Sequence, residues 1–234
     1  NLNTTGTNGV AVGKDALQAN TTGDNNTAVG LEALQTNTTG DANTAVGTGA
    51  LALSTSNNNT AVGRAALGVL TTGADNTALG SIALDANTTG ASNTGVGRDA
   101  LGANTTGSSN TAMGQSALSN NTTSNNNTAL GKSAMTTASS ADDGTAVGYA
   151  ALYSLTSGDD NTALGFQCGY NLTTGSGNVL LGHQAAQDQI TTTSNQLYIA
   201  RSNTARSNAA TWIQGNDSGA CYQGNNSSSW STTS

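Results

Sequence analysis

The sequence predicts an all-β protein, a parallel β-solenoid, on three observations. A glycine-centred unit recurs along most of the chain, Asn, Thr and Gly dominate the composition, and the apolar residues are small and fall at fixed places in the unit. The glycines that end an Ala-Val-Gly-like triplet are Gly13, Gly30, Gly47, Gly63, Gly80, Gly97, Gly114, Gly131, Gly148, Gly165 and Gly182; nine of the ten intervals are 17 residues and one, Gly47 to Gly63, is 16. The unit reads Asn-Thr-Ala-Val-Gly-x-x-Ala-Leu-x-x-Asn-Thr-Thr-Gly-x-x, with its best copies at residues 26–42 and 76–92. A helical solenoid needs about 30 or more residues per repeat and long helix-forming side chains. Seventeen residues therefore read as one coil, and about eleven such coils make a rod on the order of 50 Å long at about 4.8 Å per coil.

Composition narrows the class further. Of 234 residues, 39 are Thr, 30 Asn and 30 Gly, charged residues are 8%, aromatics 3%, and proline is absent. An ordinary globular domain is about a quarter charged, and a disordered chain is rich in charge and proline. Bulky side chains are too few to fill a three-dimensional core of this length, so a thin, repetitive core is expected. The net charge of -7, from 13 acids and 6 bases scattered singly, offers no basic stripe for phosphates, and nucleic acid is excluded as a partner. No run approaches 18 apolar residues and the start lacks a basic and an apolar region, so neither membrane insertion nor a signal peptide is expected. Asn3-Thr4-Thr5-Gly6 stands seven residues before Gly13, as Gly23 does before Gly30 at its own turn, and no initiator Met precedes it; the chain reads as a fragment or processed product with more copies upstream. Cys168 and Cys221 make no disulfide framework.

Within a coil the expectation is two short strands, at Thr-Ala-Val and near Ala-Leu, joined by turns at Gly-x-x and at Asn-Thr-Thr-Gly, where Gly supplies a positive φ. The residue before the landmark glycine is always large and aliphatic, as in Val12, Leu79 and Met113, and is expected to point into the coil. The residue before that is Ala or Gly in every coil but the last, where it is Leu180. Neighbouring strand residues face opposite sides, so this small row is expected to face outward against another chain. The pairs Ala33-Leu34, Ala66-Leu67, Ala83-Leu84 and Ala100-Leu101 complete the core, and Lys14-Asp15, Glu32, Arg64, Arg98-Asp99 and Lys132 fall on solvated turns.

The repeat decays after about residue 148, and no aromatic residue precedes Tyr149. The division expected is a shaft over residues 1–189 and a small β-rich tip over residues 190–234. In the tip, Leu197-Tyr198-Ile199-Ala200 reads as a strand, and Trp212-Ile213-Gln214 and Ala220-Cys221-Tyr222 flank a Gly-Asn-Asp-Ser-Gly turn as a hairpin.

Candidate chemistry is sparse. No nucleophile elbow, His-Glu-x-x-His or Cys-x-x-Cys occurs, so no enzyme and no cofactor is expected. The single histidine, His183, and the acid pairs Asp142-Asp143 and Asp159-Asp160 read as turn residues, and no metal is expected because the calcium-roll nonapeptide is missing. Cys168 reads as an alanine-sized core filler. The Asn-Thr-Thr triplets at Asn3, Asn20, Asn37, Asn87, Asn104 and Asn121 match a glycosylation acceptor, but in a solenoid the favoured reading is Asn and Thr ladders that bond from coil to coil. Thr rows could present a flat surface to ice or sugar. Tyr198, Trp212, Tyr222 and Trp230 are the candidate receptor-binding rings, as platforms for sugar, or the core of the tip.

The unit Asn-Thr-Ala-Val-Gly-x-x-Ala-Leu resembles the repeat arrays of trimeric tail-fibre proteins of bacteriophages, cyanophages especially, and more distantly the heads of trimeric autotransporter adhesins. Ser194-Asn195-Gln196-Leu197-Tyr198-Ile199 and the closing Ser228-Ser229-Trp230-Ser231-Thr232-Thr233-Ser234 are similar to the segment preceding the intramolecular chaperone of endosialidase-type fibres. In that family the chaperone cuts itself off at a Ser-Asp bond, which makes Ser234 the candidate cleavage end; no chaperone is present, so its catalytic residues have no counterparts here. The resemblance implies a homotrimeric fibre segment of a virion, joined to tail or baseplate proteins and mediating attachment to a host surface glycan or other receptor. The alternatives are a surface adhesin of the autotransporter type and an ice- or glycan-binding repeat protein.

Overall fold

The computed structural model describes residues 4–188, 190–200, 211–215 and 221–223. It is all-β: no helix forms among the described residues, and one sheet holds fourteen strands in chain order. The first twelve are β1 (Val10–Val12), β2 (Thr27–Val29), β3 (Thr44–Val46), β4 (Thr60–Val62), β5 (Thr77–Leu79), β6 (Thr94–Val96), β7 (Thr111–Met113), β8 (Thr128–Leu130), β9 (Thr145–Val147), β10 (Thr162–Leu164), β11 (Val179–Leu181) and β12 (Leu197–Ala200). All twelve pair in parallel, equivalent residue on equivalent residue, as in Thr27↔Thr44, Ala28↔Ala45 and Val29↔Val46. This is a β-solenoid of about eleven coils. Parallel register continues past residue 189 through β12, and pairing turns antiparallel only at β13 (Thr211–Gly215) and β14 (Cys221–Gln223), the expected hairpin.

Each coil contains one strand rather than two. At the Ala-Leu segment both residues of the pair are buried, as with Ala33 and Leu34, whereas a strand would send one of them out. The chain achieves this by turning: Glu32 and Leu34 are left-handed (φ 58° and 49°) around Ala33, and the same alternation returns at Asp99 and Leu101. The turn stays hydrogen-bonded to its neighbours, Glu32 N–H to Lys14 O (2.9 Å) on one side and Leu34 N–H to Ala50 O (3.0 Å) on the other. A left-handed leucine is unfavourable in isolation; burial of its side chain and these cross-coil bonds offset that strain.

The two faces of the strand are the reverse of the expectation. Ala28, Ala45, Ala61, Ala78, Ala112 and Ala129 are the inner row, fully buried, while the aliphatic row faces out, with Val12 57%, Leu79 48% and Met113 45% exposed. The methyl-sized space lies inside the coil and is set by the leucine of the preceding coil. At Gly95, an added Cβ would meet Leu84 Cδ1 at 3.3 Å and Ala100 O at 3.2 Å. The exception confirms the cause. Leu180 is accommodated because Gly169 stands where most other coils have Leu, and a Cβ there would lie 2.6 Å from Leu180 Cδ1.

The two glycine positions serve different needs. Gly30 has φ 136°, and a Cβ on it would stand 2.6 Å from Gly47 O. Gly40, in the Asn-Thr-Thr-Gly turn, is not left-handed; its Cβ would strike the carbonyl oxygen of Ser56 in the next coil. Coil-to-coil approach, not a positive φ, requires glycine there.

Candidate interaction surface

Inside the coil, the Asn of Asn-Thr-Ala forms a ladder. Asn26, Asn43, Asn59, Asn76, Asn93, Asn110 and Asn127 are fully buried. Each amide crosses to a carbonyl of the next coil, as from Asn43 Nδ2 to Ser56 O (2.7 Å), and each Oδ1 accepts the next backbone N–H, as Asn76 Oδ1 accepts Asn93 N–H (3.0 Å). The Asn-Thr-Thr triplet makes a second ladder: Asn37 Nδ2 bonds Gly40 O (3.0 Å) and Asn20 Oδ1 (3.2 Å), and Thr88 Oγ1 bonds Thr105 O (3.0 Å). Asn37, Asn87, Asn104 and Asn121 have no exposed surface, so in the folded chain these acceptor motifs are structural ladders.

Both ladders change at the coil beginning at Gly131. Gly144 replaces the first asparagine, and the side chain of Met135 reaches beneath it, since a Cβ on Gly144 would lie 2.7 Å from Met135 Cε. Ala138 replaces the second. Among the described residues, Asn121 Oδ1 and Ser124 Oγ, which adjoin this coil, are buried side-chain atoms without a hydrogen-bond partner.

The outward face of the sheet runs along the stack of coils. Alternation along each three-residue strand puts two rows on it: the aliphatic row before the landmark glycines, and a threonine row of Thr27, Thr44, Thr60 and their successors, half-buried between strands. Neither row contains a charge. Apart from Asp85 and Asp188, the described charges lie on the two corners that bound the face, and Asp15, Glu32 and Asp99 share the corner of the bases. All four described bases, Lys14, Arg64, Arg98 and Lys132, immediately follow a landmark glycine and are exposed. On the far corner, five or six residues before the landmark glycine, stand Asp24, Asp41, Asp75 and the pairs Asp142-Asp143 and Asp159-Asp160. Lys14 bonds its neighbour Asp15 at 3.6 Å, whereas among the described residues no carboxylate lies within salt-bridge distance of Arg64, Arg98 or Lys132.

The acids of the far corner have a structural use. Asp24 Oδ1 accepts the N–H (2.6 Å) and hydroxyl (2.8 Å) of Thr7, Asp142 Oδ1 accepts Asn125 N–H (2.6 Å), and Asp159 Oδ1 accepts Asp142 N–H (2.9 Å). No group of three metal-capable side chains occurs among the described residues.

The rings divide into stacks and tip. Tyr149, Phe166 and His183 stack in successive coils at 5.2 and 5.1 Å, and Tyr153 stacks on Tyr170 at 4.9 Å. Their common 17-residue spacing is the signal that sequence reasoning passed over. Rings stacked along the axis turn their faces to one another and their edges to solvent. Of the four candidate receptor rings, Tyr198 lies in the inner row opposite Leu180 and is 3% exposed, so it offers no platform. Trp212 sits in β13 and Tyr222 in β14, where Tyr222 pairs with Gln214; Trp230 and Ser234 lie outside the described residues. Cys168 is buried, and burial pushes its thiol up to about 12. The chain matches no family model, no curated protein and no solved structure.

Proposed function

We propose that the protein is a non-enzymatic structural fibre protein, the shaft of a homotrimeric phage tail fibre that mediates attachment to a host cell. The observation that carries this reading is the outward aliphatic row, one residue in every coil from Val12 to Leu181, uninterrupted by charge. Exposed apolar surface of that extent beside polar corners marks an interaction site, and on a rod built of identical coils a second copy of the same rod fits it best. The rest of the molecule fits a spacer. Its ladders bond coil to coil, the Cys168 thiol is buried, and its single histidine is stacked on Phe166. The phage assignment rests on the resemblance of the repeat unit. Binding would be multiplied by three identical chains, with receptor contacts within residues 149–234, where all the rings lie.

The test is mass and adsorption together. Light scattering should give three times 23.0 kDa, and the purified trimer should compete with particles for host cells. A stable monomer at micromolar concentration overturns the reading. Alanine variants of Trp212, Tyr222 and Trp230 that stay trimeric yet compete as well as the parent would move the receptor site away from the tip.

A further inference from the structure

The corner charges say how two copies of the rod meet. The uncharged face is about 10 Å wide and on the order of 50 Å long, and with its two corners it reaches about 1,000 Å², the size of one partner's share of an ordinary stable interface. Its edges are unlike: the one that follows the strand carries four bases against Asp15, Glu32 and Asp99, and the one that precedes it carries seven acids and no base. If two rods met face to face with axes opposed, and strands running the same way, acid corner would lie on acid corner. If their axes are parallel and their faces turn towards a common axis, the basic corner of each copy adjoins the acidic corner of the next, all the way round.

The axial positions agree. Lys14 shares its coil with Asp24, Arg64 with Asp75, and Lys132 with Asp142 and Asp143. Within one chain these partners stand at opposite ends of the strand and do not form ion pairs. In level copies three of the four bases face an acid of the same coil across the boundary, whereas Arg98 faces Ser108 and Ser109 and Glu32 faces Asp41.

We propose that copies of this chain pack side by side, axes parallel and coils level, with Lys14, Arg64 and Lys132 of each copy paired with Asp24, Asp75 and Asp142 of the next. This rests on the self-association proposed above and names the contacts that orient it. Oppositely charged edges reject the wrong partner geometry more than they add affinity, so the aliphatic row supplies the burial and the corners set direction and register.

The test is a charge swap in the full chain. Arg64→Glu and Asp75→Arg should each weaken association about tenfold or more in a sedimentation dilution series, because each puts like charges together at every boundary of the ring. Combined in one chain, they should restore it to within about threefold of the parent. Both positions are exposed, and circular dichroism checks that the coils remain folded. Assembly of the parent should also weaken as salt is raised. A parent that stays at 23.0 kDa at every concentration defeats the self-association itself. A parent of higher mass whose single variants assemble as well as it does, or whose double variant is weaker than both singles, defeats the corner pairing alone.

Discussion

Asn43 donates both its backbone N–H (2.9 Å) and its side-chain amide (3.2 Å) to one atom, Oδ1 of Asn26 in the preceding coil. Repeated along the axis, this places a side-chain acceptor under the start of each strand, where the chain has just left a turn and the parallel sheet provides none. Asparagine is suited to the position because it is both donor and acceptor, and each copy needs one of each.

Asn76 is the ladder member to remove. Asn76→Ala leaves Asn93 N–H without a partner, while Gly90 O keeps the amide of Asn87, and one orphaned buried donor should cost about 2 kcal/mol in urea unfolding. Asn76→Asp should cost more at neutral pH, since an acceptor then faces Gly90 O and Asn59 Oδ1. Equal urea midpoints for all three proteins would show that the ladder contributes nothing to stability.

Ala138→Asn is expected to stabilise the rod. It restores the amide that Asn121 Oδ1 lacks, and one satisfied buried bond adds about 1 kcal/mol. A lower urea midpoint than the parent's would mean that the space beside Met135 does not admit the side chain.

Ala78 and Leu79 separate folding from association. Ala78→Leu overpacks the inner row and should destabilise the coil by about 1 to 3 kcal/mol, whatever the protein concentration. Leu79→Ser removes surface that is 48% exposed, and should leave the unfolding of the isolated chain nearly unchanged while weakening association. The opposite pattern would return the alanine row to the outside.

Two aspartates give opposite pH dependences. Burial first, and then the charge of Asp99, raise the pKa of Asp85; the N–H and hydroxyl of Thr7 lower that of Asp24. For Asp85 the ionised form is the disfavoured one, so stability is greatest below the ordinary carboxylate value and is lost as pH rises through the raised one. For Asp24 the contribution is present above the ordinary value and lost as pH falls through the lowered one. Asp85→Asn should therefore raise the melting temperature at pH 7 and lose its advantage near pH 3, while Asp24→Asn should be more harmful at pH 7 than at pH 2. Parallel pH curves for either variant and the parent would contradict the assigned causes.

Cys168 should resist alkylation at pH 8 in a Cys221→Ser background, because its thiol is buried and protonated. Reaction should follow the unfolding rate. Rapid labelling in native buffer would place the sulfur at the surface.

Much of this was legible in the sequence. The glycine period set the coil and its count, and the Asn and Thr ladders and the hairpin of Trp212 and Tyr222 followed from residue type and spacing. The inversion of the strand was not legible from alternation, which says that Ala78 and Leu79 face opposite ways but not which is inside. Leu84 and its equivalents decide that by filling the interior, and their left-handed turn cannot be inferred from a residue type that avoids it. One sign was available: two adjacent apolar residues, Ala33 and Leu34, cannot both be buried by a strand. The ring stacks were available too, since Tyr149, Phe166 and His183 repeat the coil period, as do Tyr153 and Tyr170.

The coil from Gly47 to Gly63 is one residue short, yet β3 and β4 pair in full register, Thr44↔Thr60. The deletion falls in the Asn-Thr-Thr-Gly turn, where Ser54 and Ser56 bond each other at 2.9 Å and Ser56 reaches Gly73 O at 2.6 Å. Residue number and axial length are thus uncoupled at that turn. The molecule behaves as a ruler whose graduation is the whole coil: a unit gained or lost by recombination would move everything beyond it by about 4.8 Å without altering the cross-section. Small errors within a unit are absorbed at one corner and never reach the scale.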